Sequence, residues 1–224
     1  GKINGKEYIV KTIVTTETIK TIAERNGVEM YDVYTGFKWI ANVMRENEGK
    51  KNYIGGGEES YGFLCEDFVR DKDAVSACVI LAEIAAWAKD QGLSLYQLLQ
   101  KIYVEYGFSK EKGISVVKKG KSGAEEIEAM MKKFRENPLT EIAGSKVTYF
   151  YDYSTLKGKD YAENETVTLD MPTTSNVLQY FTEDNTKVSI RPSGTEPKIK
   201  FYCEVHSKVK SCLLYTSPSP RDRG

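Results

Sequence analysis

Apolar and polar positions change period along the chain, and the changes mark out its elements. Residues 7–15 (EYIVKTIVT) are β-branched and aromatic, so a strand is expected there. Thr15 or Thr16 can cap a helix over residues 17–25, with Ile19 and Ile22 facing inward and Asn26-Gly27 closing it. Residues 28–34 read as a second strand. Thr35-Gly36 then turns into a helix over 37–46, where Trp39, Ile40, Val43 and Met44 keep helical spacing. Residues 51–54 make a third short strand, followed at once by Gly55-Gly56-Gly57-Glu58-Glu59-Ser60-Tyr61-Gly62-Phe63. Asp73 caps a mostly apolar helix over 74–90, ended by Gly92. Ser94 and Gln97 form a capping box for the next helix, which runs to Tyr106 and closes at Gly107.

Strand and helix thus alternate three times, the order of an α/β parallel sheet with right-handed crossovers. The carboxyl ends of such strands share one edge, and ligands bind there. The segments on that edge are Thr15-Thr16, Thr35-Gly36-Phe37-Lys38 and Gly55 to Ser60. Glycine, hydroxyl, lysine and carboxylate gather there from separate parts of the chain.

The pattern changes at residues 109–113 (SKEKG), which sets a domain boundary there. A strand over 114–117 leads to a helix capped by Ser122, with Glu125 at its third position. Ile127, Met130, Met131 and Phe134 form its core stripe, and Asn137-Pro138 stops it. Strands follow at 146–153, 166–169 and 177–181, then a hairpin of 187–190 and 198–205. In the last strand Ile199, Phe201, Cys203 and Val205 are expected on the buried face, and Lys198, Lys200, Tyr202 and Glu204 on the polar one. This second part reads as a smaller α+β domain with an antiparallel sheet. The stretch 213–224 shares no pattern with what precedes it and reads as a disordered or non-native tail.

Composition narrows the function classes. The 224 residues are 40% hydrophobic and 29% charged, with 32 basic and 32 acidic side chains. Zero net charge argues against a nucleic-acid or anionic-membrane surface. No apolar run is long enough to span a bilayer. Four cysteines show no metal spacing; Cys78 and Cys203 read as core thiols, which fits a reducing cytoplasm. No metal-ligand set is expected in these residues. His206, the only histidine, stands at a strand end and carries no catalytic expectation. Lys118-Lys119-Gly120-Lys121 reads as a solvated turn.

Two loops carry chemistry. Arg191-Pro192-Ser193-Gly194-Thr195-Glu196-Pro197 joins two strands. Its guanidinium can grip phosphate bidentately, Ser193 and Thr195 add neutral donors, and Gly194 can turn backbone N–H groups toward an anion. The alternative is a tight hairpin with incidental polar residues. The loop from Gly55 to Ser60 lacks the Gly-Lys-Ser/Thr ending of a nucleotide loop. Its carboxylates suit sugar hydroxyls, which they accept from, and Ser60 can donate and accept. The alternative there is a turn with surface carboxylates. Lys38 could sit near phosphate or transfer a proton; an isolated helix lysine is otherwise simply solvated.

Together, Gly57-Glu58-Glu59-Ser60-Tyr61-Gly62, the Arg191–Pro197 loop and Thr35-Gly36-Phe37-Lys38 resemble the α-D-phosphohexomutases, in their phosphoglucomutase/phosphomannomutase branch. The resemblance covers residues 7–206. It implies an enzyme that moves phosphate between O1 and O6 of a hexose through a phosphoserine and a hexose 1,6-bisphosphate, with Mg²⁺ held by its second domain. It implies a domain III-like part at 1–108 that holds sugar hydroxyls through Glu58 and Ser60. It implies a domain IV-like part at 109–210 that holds the non-transferred phosphate through Arg191, Ser193, Gly194 and Thr195, and loses its end to a tail at 211–224. Lys38 corresponds to a proton-transfer lysine. No Ser-His nucleophile or Asp-Gly-Asp metal loop appears. The chain is therefore expected to be a cytoplasmic C-terminal fragment, inactive alone. Its partners are then a phosphosugar and the missing N-terminal domains. Rival readings are a phosphomannomutase, a phosphoglucosamine mutase, against which Tyr61-Gly62 argues, and a non-catalytic phosphosugar-binding protein.

Overall fold

The computed structural model describes residues 3–118, 120–194 and 196–210, with the backbone alone for Lys121. The expected tail at 211–224 lies outside the described residues. The chain divides into two compact units, the second spanning Lys110–His206.

In the first unit β1 (Glu7–Thr12), α1 (Thr18–Arg25), β2 (Glu29–Val33), α2 (Phe37–Asn47) and β3 (Asn52–Gly57) alternate as the period changes predict. The short β4 (Phe63–Leu64) completes a sheet of order β2-β1-β3-β4. β1 runs parallel to β2 and β3, and β4 returns antiparallel. This is an α/β unit with its three parallel strands ending on one edge. Tyr8, Val10, Val33 and Tyr53 of the sheet pack on Phe37, Ile40 and Met44 of α2. The helical stripe thus finds the apolar face of the sheet.

Two readings before α3 need correction. Gly55-Gly56-Gly57 is not loop but strand: Ile9, Val10 and Lys11 pair with these three glycines. The reason is close approach. A Cβ on Gly56 would lie 2.3 Å from the Val10 carbonyl oxygen, so only glycine fits that register. α1 begins at Thr18, and its cap residue Glu17 makes no side-chain cap. Thr16 Oγ1 accepts from Thr18 N at 3.2 Å instead. Thr18 and Ala23 are buried, whereas Ile19 and Ile22 are half-buried.

α3 (Ala74–Asp90) and α4 (Leu95–Tyr106) start where the capping residues say. Asp73 accepts from Ser76 N at 2.7 Å, and Ser94 and Gln97 close a capping box. The core place expected for Cys78 is wrong: the thiol is exposed, with Val75, Val79 and Trp87. Apolar residues surround α3 on every side, so the pattern selects no face, and Ala88 is its one buried residue among those described.

β5 (Phe108–Val117) runs unbroken through the stretch where the sequence pattern changes. In the second unit come α5 (Gly120–Glu136), β6 (Glu141–Ile142), β7 (Ser145–Asp152), β8 (Lys157–Asp160), β9 (Glu165–Thr168), β10 (Leu178–Thr182), β11 (Lys187–Pro192) and β12 (Lys198–Ser207). Their order is β5-β12-β11-β10-β7-β8-β9, with β6 on β7. The pairs β7–β10, β10–β11 and β11–β12 are antiparallel. Ile127 and Met131 of α5 pack on Val147, Leu178, Tyr180, Ile190 and Ile199. α5 starts at Gly120, so Ser122 stands inside its first turn and not at its cap. Gly123 allows this: a Cβ there would lie 2.3 Å from the Lys118 carbonyl, which the first turn covers. Lys118 is paired with Glu126 at 2.9 Å, and Gly120 and Lys121 are helical, so the basic run is no simple turn.

The alternation expected in β12 holds at Ile199 and fails at the far end, where Glu204 is buried and Val205 exposed. Glu204 faces Lys187 across the ladder, and their buried side chains pair at 3.1 Å. The partner makes an inward carboxylate tolerable there. Among the described residues no helix is long and apolar enough to cross a membrane.

Candidate functional site

The first unit collects polar groups at the carboxyl edge of its parallel strands. β3 ends at Gly57, and Glu58 follows directly. Glu58 Oε1 accepts from Gly36 N at 2.6 Å. Gly36 is the N-cap of α2 and sits at φ 118, a backbone that an L side chain rarely adopts. A carboxylate at a helix N-terminus is favoured by the helix dipole and by the unsatisfied N–H groups there. The loop is then closed by Glu58 N on Gly62 O at 2.7 Å. A Cβ on Gly62 would lie 3.0 Å from Glu58 Oε2. Oε2 itself has no hydrogen-bond partner among the described residues, which leaves it free to accept a hydroxyl.

Ser60 is exposed and donates to Glu59 Oε1 at 3.1 Å. Glu59 Oε2 accepts from Thr12 Oγ1 at 3.2 Å, and Thr12 Oγ1 lies 2.9 Å from Thr15 Oγ1. The carboxylate loop is therefore tied to the ends of both β1 and α2. Tyr61 stands fully exposed at φ 63. Behind the edge, Lys11 is buried, with Asp32 at 2.7 Å and Glu17 at 3.1 Å. Burial alone would lower its pKa; the two carboxylates outweigh that and raise it.

Lys38 is exposed in the first turn of α2, with its Nζ 5.1 Å over the Trp39 ring. It lines a cleft of about 930 Å³ with Gly36, Phe37, Arg45, Arg70 and Lys72. Arg70 is paired with Glu48 at 3.3 Å and Lys72 with Asp71 at 3.1 Å. Lys38 has no ion pair among the described residues. Sequence reasoning missed Gly36, Thr12 and Glu59 as groups that hold this loop. A glycine just before a helix was the available signal for Gly36; strand-end Thr12 had none.

In the second unit Arg191 and Pro192 are the last residues of β11, held by pairing with Lys200 and Ile199. Ser193 N donates to Lys198 O at 2.7 Å, and Lys118 N to Pro197 O at 2.8 Å. The hairpin loop is thus pinned at both ends. Arg191, Ser193 and Gly194 line one pocket of about 490 Å³, faced by Ile127 and Met131 of α5 and by Asn176. Arg191 makes no ion pair among the described residues. Lys198 takes up the Glu196 carboxylate at 2.6 Å, which lowers the Glu196 pKa. Gly194 has nothing within 4 Å of a would-be Cβ and does not use a positive φ. It offers open backbone rather than a special turn. Thr195 lies outside the described residues.

A parallel-sheet unit with a carboxylate loop and an antiparallel-sheet unit with a basic hairpin define a two-unit α/β protein. The family description "Phosphoglucomutase/phosphomannomutase, alpha/beta/alpha domain III" matches residues 1–106, and "Phosphoglucomutase/phosphomannomutase, C-terminal domain" matches 115–211. The chain belongs to the phosphoglucomutase/phosphomannomutase family. It is 36% identical over 204 residues to a phosphoglucomutase of Staphylococcus haemolyticus, which covers 91% of this chain and 37% of that protein. It is 40% identical over 194 residues to one from Staphylococcus aureus, covering 87% of this chain and 35% of that protein. The chain therefore spans little more than a third of these relatives. The fold is similar to that of the Paramecium phosphoprotein pp63/parafusin, a phosphoglucomutase, in its open form. There the TM-score is 0.62 at 17% identity, covering 92% of this chain and 34% of that one.

Proposed function

We propose that this chain holds a hexose phosphate within a cytoplasmic phosphohexomutase. The reaction interconverts hexose 1-phosphate and hexose 6-phosphate through a phosphoserine and a hexose 1,6-bisphosphate. Residues 1–108 are the sugar-holding part and 109–210 the phosphate-holding part. The donor serine belongs to the remaining length that the relatives have. Magnesium would neutralise charge on the transferring phosphate. Among the described residues no group of three or more His, Cys, Asp or Glu could hold a metal ion. We assign its donor set to the remaining length that the relatives have.

The geometry supports the following roles. Glu58 has one carboxylate oxygen fixed by Gly36 N and the other open, so it accepts a sugar hydroxyl at a defined place. Ser60 has its hydrogen committed to Glu59 and offers its lone pairs. Arg191, Ser193 and the open backbone at Gly194 take the phosphate that is not transferred. Thr195 belongs to the same loop and adds a donor. Lys38, exposed at the rim of its cleft, moves a proton at the reacting hydroxyl. The observation that carries this reading is Arg191: a guanidinium without an ion pair among the described residues, lining a pocket with Ser193 and the backbone of Gly194.

The test is a titration of the pure chain with glucose 1-phosphate, followed by amide NMR and by product analysis. Resonances of residues 58–62 and 191–194 are expected to shift while no glucose 6-phosphate forms. Turnover by the chain alone, or no shift in either loop, contradicts the reading.

A further inference from the structure

Asn176 lines the same pocket as Arg191 and Ser193. It precedes β10 in a segment with little freedom. Ser175 N donates to Tyr153 O at 3.0 Å, Val177 N to Ser175 O at 2.9 Å, and Tyr153 N to Val177 O at 3.0 Å. The side chain is fixed as well. The Arg135 guanidinium, in the last turn of α5, donates through Nη2 to Asn176 Oδ1. The same guanidinium donates through Nε to Asp152, at 3.3 Å to Oδ1 and 3.2 Å to Oδ2. Asp152 is buried at the end of β7 and also accepts from Ser154 Oγ at 2.7 Å. Arg135 is therefore braced by the sheet and in turn sets the Asn176 amide.

With Oδ1 taken by a cation, the amide can only be oriented one way. Its Nδ2 has two hydrogens and no hydrogen-bond partner among the described residues. A free amide donor beside a guanidinium and a hydroxyl suits an anionic oxygen. We infer that Asn176 Nδ2 is a further donor to the phosphate held by Arg191 and Ser193, and that Arg135 is its positioning residue. This rests on the phosphate-holding reading of the pocket. The ligand chemistry is a phosphate monoester or free phosphate, which share the same oxygens.

The test measures dissociation constants of glucose 6-phosphate, inorganic phosphate and glucose for the chain by calorimetry. N176A is expected to weaken both phosphate ligands about 3- to 10-fold, as for one hydrogen bond from an exposed side chain. N176D keeps its shape and its tie to Arg135, but loses both donors and adds charge. It is expected to weaken both more than N176A does. Glucose affinity should stay the same in either variant. R135A should match N176A, and R135A/N176A should be no weaker than R135A, because the two residues act as one unit. In NMR the Asn176 side-chain amide should shift on phosphate addition in the native chain and not in R191A. Unchanged phosphate affinity in N176D overturns the inference. If R191A abolishes binding at the same time, the pocket reading stands and only the Asn176 role fails. If the native chain binds neither phosphate ligand, both fail.

Discussion

Gly36 and Glu58 are 22 residues apart in sequence, yet the backbone N–H of the first donates to the carboxylate of the second at 2.6 Å. One bond thus joins the start of α2, which bears Lys38, to the end of β3. It also orients the carboxylate whose other oxygen remains open. On the proposed reading, the same side chain that anchors the start of α2 also takes the sugar hydroxyl.

Glu58→Ala should therefore have two effects. A charge-assisted bond is worth about 1.5–3 kcal/mol, and half-exposure reduces it, so a loss of about 1–2 kcal/mol is expected in urea unfolding. Glucose 6-phosphate should also bind more weakly. Glu58→Gln keeps the acceptor and should lose less stability. An unchanged unfolding midpoint in Glu58→Ala would show that the Gly36 bond is idle.

Gly56→Ala tests the strand assignment of the glycine run. Its Cβ would meet the Val10 carbonyl oxygen at 2.3 Å and Tyr53 Oη at 2.8 Å. Overpacking of this kind costs about 1–3 kcal/mol. Gly194→Ala, which meets nothing, should stay within about 0.5 kcal/mol of the native protein. Equal unfolding midpoints for the two variants would refute the β1–β3 register.

Asp184 offers a pH test of the turn that feeds β11. The Thr182 hydroxyl and the Thr186 N–H donate to its carboxylate and hold its pKa at about 2, against an ordinary 3.8. A depressed carboxylate stabilises above its unfolded value and loses that contribution as pH falls through the folded one. The stability gap between the native chain and Asp184→Asn should thus be present at pH 5 and shrink between about pH 4 and pH 2. Urea unfolding across that range reads it, and a constant gap would contradict the hydrogen-bond assignment.

What sequence could show follows from how local each signal is. The bounds of α3, the Ser94 capping box and the Ile127–Met131 stripe rest on neighbours within a few residues, and each appears where expected. The α/β and antiparallel halves follow from the same periods. Gly55 to Gly57 was not legible as strand, because its reason is a distant carbonyl at Val10. Glu204 looked solvent-facing because its partner Lys187 lies on another strand. An all-round apolar helix encodes no face, so the pattern cannot place Cys78. In the candidate site, Glu58, Ser60, Arg191 and Ser193 were legible as chemistry. What fixes them, namely Gly36, Thr12 and the strand pairing of Arg191 with Lys200, depends on contacts across the fold.

The most direct test of the account is the affinity of the native chain and of Arg191→Ala for glucose 6-phosphate, measured by calorimetry. The guanidinium–phosphate interaction is worth about 1.5–3 kcal/mol, so the variant should bind about 10- to 150-fold more weakly. Its unfolding midpoint should stay close to native, since Arg191 makes no ion pair among the described residues. Equal affinity in the two proteins would contradict the claim that this hairpin holds the phosphate.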